Sequence, residues 1–191
     1  TIEGDIAPSK ITFYRLQSTA DNKLRAYAAE GEVLPVATRS FGGIGVFGIK
    51  EMGIPAVQIN TGGACHLESS MVKRAIDVLD LERLDLIIME NVGNLVCPTD
   101  FDLGENIKVM ILSVPEGDDK PLKYPGVFQV AQAVILNKVD TMPVFNFNRE
   151  AFDESVRQLN PQAPIFPISA TNGEGVDEWA SWLSDRIHEV Q

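Results

Sequence analysis

The sequence is poor in several features that would place it in common functional classes. It has only two cysteines in 191 residues, Cys65 and Cys97, so a disulfide-stapled secreted domain is not expected. No apolar run approaches the roughly 20 residues of a membrane-spanning helix, and no secretory signal opens the chain. Its 16 basic residues are outnumbered by 27 acidic ones, for a net charge of −11, which argues against a nucleic-acid partner. We therefore expect a cytoplasmic protein with neither a nucleic-acid nor a membrane partner.

Hydrophobic residues make up 45% of the chain, enough for a folded core, and the length favours one domain over residues 1–191. From Pro55 onward, short apolar runs alternate with helical patterns, whereas residues 18–30 suggest a helix in a less regular N-terminal region. The runs predict strands over residues 56–60, 84–91, 107–114, 131–140 and 164–170. The intervening patterns predict helices over residues 66–80, 149–159 and 175–190. This alternation predicts an α/β fold, a mostly parallel sheet with helices on both faces.

Polar residues follow each predicted strand, at the edge of a parallel sheet where ligands bind. The fourth strand ends in "NKVD", with Asn137, Lys138 and Asp140. An aspartate can accept two hydrogen bonds from the N1 and N2 groups of guanine, a pairing that adenine cannot match. "SAT", which starts at Ser169 and Ala170, ends the next strand, and its backbone amides could meet the base oxygen. The pair resembles guanine-recognition elements, although an N-x-x-D turn often merely ends a strand.

Two further strand-end loops carry the thiols. Cys65 and His66 are adjacent in a glycine-rich loop, and Cys97 lies in the loop after the second strand. Two thiolates and an imidazole suit Zn²⁺ or Ni²⁺, and a water or a symmetry mate would complete a four-ligand site. The alternative is that both cysteines are buried small hydrophobes and that His66 caps a helix. Spacing alone favours this alternative, because the sequence has no C-x-x-C pair.

Four motifs, taken together, favour the metal site over two buried structural cysteines. They are "GIPAVQINTGGACHLESSMV", "MENVGNLVCPTDFDLGE", "VPEGDDKPLKYP" and "NKVD", in this order. The combination resembles the hydrogenase nickel-incorporation GTPases (HypB-type) of the SIMIBI class of P-loop NTPases, over residues 54–191. The resemblance implies GTP or GDP with Mg²⁺, and Ni²⁺ or Zn²⁺ as the bound metal. It also implies a homodimer formed through the metal-site loops, with a HypA-type nickel-accessory protein and a hydrogenase large subunit as partners.

The resemblance assigns roles to individual residues. The implied metal ligands are Cys65, His66 and Cys97. The implied catalytic residues are Asp5, a switch I acid that helps hold magnesium, and Glu90 and Gly93 of switch II. The implied guanine-site residues are Asn137, Lys138, Asp140, Ser169 and Ala170. Because Cys97 lies four residues after Gly93, a switch that moves with the nucleotide state would also move a metal ligand.

The N-terminal part departs from this family pattern. The phosphate loop G-x-x-x-x-G-K-[ST], which should precede "EGDI" together with a first strand, is missing from the sequence. Residues 7–50 match no pattern that we can assign. "FGGIGVFGIKEMG" spaces Gly43 and Gly48 correctly, but Ile49 stands where the lysine belongs. Three explanations are open, in decreasing order of preference: a fragment or misjoined reading, a divergent member that binds nucleotide poorly, or replacement of the loop by the inserted segment.

Two functions from different classes therefore compete. The first is a magnesium-dependent GTP hydrolase that delivers nickel to a hydrogenase. The second is a dimeric nickel or zinc carrier without GTP turnover, favoured by the missing phosphate loop. The intact switch II and guanine motifs favour the first, and GTP turnover on the purified protein separates the two.

Overall fold

The computed structural model describes residues 15–18, 24–27, 57, 59, 64–79, 81, 84–91 and 93–190. The chain divides into two units, Thr1–Gly104 and Glu105–Gln191, and each is described by itself. Asp5 and the glycine-rich stretch 41–53 lie outside the described residues, and so does most of the strand predicted over 56–60. The prediction of one domain over residues 1–191, with an atypical segment at 7–50, stays a prediction.

The described residues of the first unit include a small antiparallel sheet and an α-helix. These elements are β1 (Arg15–Ser18), β2 (Leu24–Tyr27) and α1 (Ser69–Ile76). β1 and β2 are antiparallel, with Arg15 opposite Tyr27 and Ser18 opposite Leu24. The helix predicted over residues 18–30 is therefore wrong. The two short runs satisfy each other's backbone hydrogen bonds by pairing as strands.

α1 confirms the predicted helix in a shorter form. It buries Val72 and Ala75 on one face, as the three-to-four spacing of its apolar residues requires. The core around it consists of Ile59, Leu67, Val72, Ala75, Leu79 and Leu103.

The strand predicted over residues 84–91 is wrong. The backbone of these residues has no strand assignment, although Ile87 and Met89 pack against the core of the first unit. A strand needs a neighbour that shares its backbone hydrogen bonds. Within the described part of the chain, no strand pairs with residues 84–91, so the apolar side chains are packed without a ladder.

The second unit is built on a parallel sheet. Its strands are β3 (Val109–Ser113), β4 (Ala133–Asn137) and β5 (Ile165–Pro167), in the order β3-β4-β5. Its helices are α2 (Lys120–Lys123), α3 (Pro125–Val130), α4 (Arg149–Leu159) and α5 (Val176–Val190). The three strands, α4 and α5 confirm the sequence pattern, whereas the short helices α2 and α3 were not predicted. The parallel sheet with its helices confirms the α/β fold class.

The central strand β4 is buried on both faces. Ala133 and Ile135 share a core with Phe166 of β5, against which Trp179 and Trp182 of α5 pack. Val134 and Leu136 point to the opposite face and are also fully buried. Strands that are covered on both faces consist of continuous apolar runs, and for this reason the run "AVILN" correctly predicted β4.

α3 and α4 are joined at their ends. Phe128 of α3 meets Phe152 of α4 edge to face, with ring centroids 6.3 Å apart. Asn160, which ends α4, donates its side-chain N–H groups to the carbonyls of Phe128, Gln129 and Ala131. Among the described residues, no helix is long and apolar enough to cross a membrane.

Candidate nucleotide and metal sites

The loop after β4 is held by the side chain of Asn137. Its Oδ1 accepts hydrogen bonds from the backbone N–H of Lys138 at 2.7 Å and from that of Ala170 at 3.3 Å. Ala170 belongs to the loop after β5, so one amide side chain links the two loops. Lys138 has the left-handed conformation, with φ 61° and ψ 37°, which is uncommon for a residue other than glycine. Such conformations are enriched at functional sites.

A short 3₁₀ turn, Val139–Thr141, presents the rest of the motif. The Thr141 hydroxyl donates to the Lys138 carbonyl at 2.6 Å, and the Val139 N–H donates to the Ile168 carbonyl at 3.1 Å. These bonds fix the backbone of the turn while the side chains of Lys138 and Asp140 are exposed. The turn therefore presents an ammonium group and a carboxylate to a ligand from a rigid base.

The loop after β5 is closed by its own backbone. Ser169 donates its N–H to the Glu174 carbonyl and accepts from the Gly173 N–H, both at 2.9 Å. The Ser169 hydroxyl is buried without a hydrogen-bond partner among the residues that the structure describes. Gly175, with φ +69°, lies so close to β5 that a Cβ at this position would come within 2.1 Å of the Pro167 carbonyl oxygen. Gly175 was not predicted as a site residue; its only signal in the sequence is the turn motif "NGEG".

The two thiols lie together in the first unit. The Cys65 Sγ–H points to Cys97 Sγ at 3.0 Å, and His66 Nδ1 is 3.7 Å from Cys65 Sγ. Cys97 opens a 3₁₀ turn, Cys97–Asp100, with proline at its second position. Both cysteines are free, with Cys65 exposed and Cys97 half-buried. The structure thus brings together two thiols that are 32 positions apart in the chain.

The imidazole of His66 lies flat against an aromatic ring. His66 and Phe101 are stacked with centroids 3.8 Å apart and an interplanar angle of 10°. Phe101 was not predicted as part of the site, because nothing in its spacing distinguishes it from a core residue. In the described part of the chain, no group of three or more His, Cys, Asp or Glu side chains is arranged to hold a metal ion. The ligand set Cys65, His66 and Cys97 stays a prediction, with its two thiols already adjacent.

The close contact between the thiols affects the protonation of Cys65. Its hydrogen bond to Cys97 raises the pKa of the Cys65 thiol, and partial removal from water acts in the same direction. A cation that binds both sulfurs as thiolates would release the Cys65 proton.

The switch II residues are exposed in this structure. Glu90 and Gly93 both lie on the surface, and a Cβ at Gly93 would meet nothing within 4 Å. Packing alone therefore does not demand glycine at position 93. Asp5, the predicted switch I acid, is outside the described residues, so the catalytic assignment of Glu90, Gly93 and Asp5 stays a prediction.

A parallel sheet whose strands alternate with helices defines the class: an α/β protein with a P-loop NTPase-like fold. A family model described as "CobW/HypB/UreG, nucleotide-binding domain" matches residues 29–167, and the chain belongs to this family. The match begins within the segment 7–50, for which the sequence alone had suggested no family.

Proteins similar to this chain include HypB maturation factors. The chain is 51% identical over 135 residues to the hydrogenase maturation factor HypB of Escherichia coli K12, covering 71% of this chain and 47% of the relative. It is 45% identical over 145 residues to the hydrogenase/urease maturation factor HypB of Helicobacter pylori 26695, covering 74% and 60%. The chain thus spans about half the length of the E. coli relative.

Two solved structures are similar in fold. The crystal structure of H. pylori HypB in complex with nickel has a TM-score of 0.71 at 45% identity, covering 74% of this chain and 67% of that one. The crystal structure of the hydrogenase maturation factor HypB from Archaeoglobus fulgidus has a TM-score of 0.69 at 37% identity, covering 73% and 68%.

Proposed function

We propose that this chain is the nucleotide- and metal-binding part of a hydrogenase maturation factor that uses GTP to control nickel delivery. The observation that carries the proposal is the pair of thiols 3.0 Å apart in a chain of a nucleotide-binding family. Two adjacent thiols with a neighbouring imidazole suit a borderline-soft cation, and the nickel complex of a 45% identical relative supports this choice.

Guanine is the base that the loop chemistry favours. The exposed Asp140 carboxylate has two acceptor oxygens for the N1–H and N2–H groups of the base. The aliphatic stem of Lys138 can lie over the ring of the base. The backbone N–H of Ala170, which donates to Asn137 Oδ1 in this structure, could also donate to the oxygen of the base. Because Asn137 already ties the two loops together, the site is preorganised and little ordering is left for the ligand to drive.

Magnesium would accompany the phosphates. Carboxylates are the ligands that this cation prefers, and Asp5 and Glu90 are the acids that the family pattern places there. Magnesium would neutralise charge on the phosphates. The role of the chain would be to hold the switch II segment around Glu90 and Gly93 in one nucleotide-dependent position.

Nickel is the proposed cargo, with zinc as the alternative occupant of the same ligands. With Zn–S bonds of about 2.3 Å in a tetrahedral site, the two sulfurs would be about 3.8 Å apart. A metal held by both thiolates would therefore keep the sulfurs farther apart than the 3.0 Å of the metal-free thiols and would replace their hydrogen bond. His66, stacked on Phe101, is the third ligand that we propose. Water or a second copy of the chain would supply the fourth.

The proposed homodimer would form through these loops. Val96, beside Cys97, is 55% exposed, and an apolar side chain next to a three-ligand site favours closure by another protein surface. A HypA-type accessory protein and a hydrogenase large subunit would then be the donor and acceptor of nickel. We also expect the cytoplasm as its location, because its free thiols remain reduced there.

A carrier without turnover is the second candidate. The observation in its favour is that the two thiols and the imidazole already lie close together, and this group could hold a metal ion without any nucleotide. Phosphate release from GTP by the purified protein separates the two candidates. Release above background that depends on magnesium supports the GTPase. Background release in a preparation that still binds nickel leaves the carrier.

A further inference from the structure

The two loops that carry the thiols are joined by one uncharged side chain, that of Asn94. Its Oδ1 accepts hydrogen bonds from the N–H of Val96 at 2.9 Å and from the N–H of Cys97 at 3.4 Å. Its Nδ2 donates to the carbonyl oxygen of Cys65 at 3.4 Å. The amide therefore holds the start of the Cys97 turn at one end and the backbone of Cys65 at the other.

The chemistry of this bridge requires an amide on a short stem. The reverse orientation would place the NH₂ of Asn94 against two N–H donors. Aspartate could accept from Val96 and Cys97, but it has no donor for the Cys65 carbonyl. Alanine could make none of the three bonds. Glutamine carries one more methylene, which would displace the amide from both loops.

We propose that Asn94 is a positioning residue that sets the Cys65 and Cys97 thiols side by side before a metal arrives. The proposal rests on the proposed function, because the thiols are the proposed nickel ligands. A ligand pair that is already in place loses less conformational freedom on binding, so the affinity for the cation is higher. None of these three hydrogen bonds of Asn94 involves a sulfur atom. Asn94 would therefore act through the backbone of the two cysteines.

The thiol spacing can be measured without any metal. Phenylarsine oxide bridges two neighbouring thiols: two As–S bonds form, the As=O bond and both S–H bonds break, and one water leaves, with no change in oxidation state. Its rate of adduct formation, followed by mass spectrometry on the reduced metal-free protein, reports how often the thiols are paired. Iodoacetamide, which alkylates each thiol singly, reports accessibility alone.

The variants are Asn94→Ala and Asn94→Asp. Asn172→Ala is the matched control, since Asn172 accepts from the N–H two residues ahead at 2.9 Å as Asn94 does but lies in the second unit. We expect bridging to slow at least about fivefold in Asn94→Ala, the factor expected for one lost hydrogen bond. The bridging rate of Asn94→Asp should lie between the rates of Asn94→Ala and the wild type. The bridging rate of Asn172→Ala should equal that of the wild type. Single alkylation should be as fast as in the wild type or faster.

Nickel affinity, measured by equilibrium dialysis on the same variants, should fall in the same order. If Asn94→Ala bridges its thiols and binds nickel as the wild type does, the positioning role of Asn94 is overturned, whereas the proposed nickel site is unaffected. If the wild type binds no nickel while bridging still depends on Asn94, the nickel proposal fails and the positioning role stands. Slower alkylation alongside slower bridging would indicate buried or misfolded thiols and would also overturn it.

Discussion

Replacing Gly175 by alanine is expected to destabilise the second unit (Glu105–Gln191) and to disturb the loop that carries Ser169 and Ala170. Gly175 has φ +69°, a left-handed conformation that a residue with a side chain rarely adopts. A Cβ there would also lie 2.1 Å from the Pro167 carbonyl oxygen. Real carbon–oxygen contacts are about 1 Å longer, so either the loop or the end of β5 must move.

The magnitude follows from two separate costs. The left-handed conformation costs about 1 kcal/mol for a residue other than glycine. A forced backbone shift in a packed region adds about 1–3 kcal/mol, which gives about 2–4 kcal/mol in total. Gly173 provides the matched control, because it has φ +86° but nothing within 4 Å of its Cβ position. Gly173→Ala should therefore cost only about 1 kcal/mol.

Urea unfolding monitored by tryptophan fluorescence measures this difference. Both tryptophans of the chain lie on α5, where Trp179 and Trp182 pack against Phe166 of β5. The signal therefore reports on the second unit, which carries the substitution. Equal unfolding free energies for Gly175→Ala and Gly173→Ala would refute the close contact at Pro167. A Gly175→Ala variant as stable as the wild type would refute the strained loop as well.

Three further predictions concern the second unit. Asn160→Ala should lower the unfolding free energy by about 1–3 kcal/mol, because three carbonyls at the end of α3 lose their donor; an unchanged urea midpoint would contradict this. Asp140→Asn should weaken GDP binding about tenfold to a hundredfold and favour xanthosine diphosphate in a competition assay, and unchanged GDP affinity would place the base elsewhere. Hydrogen bonds from Lys123 and then Lys120 lower the pKa of Asp119 below 3.8, and Asp119 raises the pKa of Lys123 above 10.5. This ion pair should therefore contribute stability that is lost as the pH falls through the lowered pKa of Asp119 or rises through the raised pKa of Lys123. A midpoint at or above pH 3.8 in an NMR titration of the Asp119 carboxyl would contradict the lowered pKa.

Much of the second unit could be predicted from the sequence because its signals are local. The apolar run "AVILN" fills both faces of β4, and the spacing of Phe152 and Val156 fixed the buried face of α4. Prediction failed where pairing decided the structure. Leu24–Tyr27 is a strand because Arg15–Ser18 pairs with it, and residues 84–91 are not a strand because nothing described pairs with them.

The candidate sites show the same limit. Two separate sequence motifs predicted Asn137 and Ala170 as site residues, and in the structure a hydrogen bond of 3.3 Å joins them. The sequence also predicted both thiols. The stacking of Phe101 on His66 and the bridge made by Asn94 depend on where loops lie in three dimensions, and no periodicity or motif spacing encodes this.

The proposed nickel site requires the Cys97 thiol, which folding brings to within 3.0 Å of the Cys65 thiol from 32 positions away in the chain. Equilibrium dialysis of Ni²⁺ against the reduced protein tests this most directly. Thr99→Ala, in the same Cys97–Asp100 turn, is the matched control. We expect saturable nickel binding in the wild type and in Thr99→Ala, and binding reduced to background in Cys97→Ala. Nickel bound by Cys97→Ala with wild-type affinity and stoichiometry would contradict it.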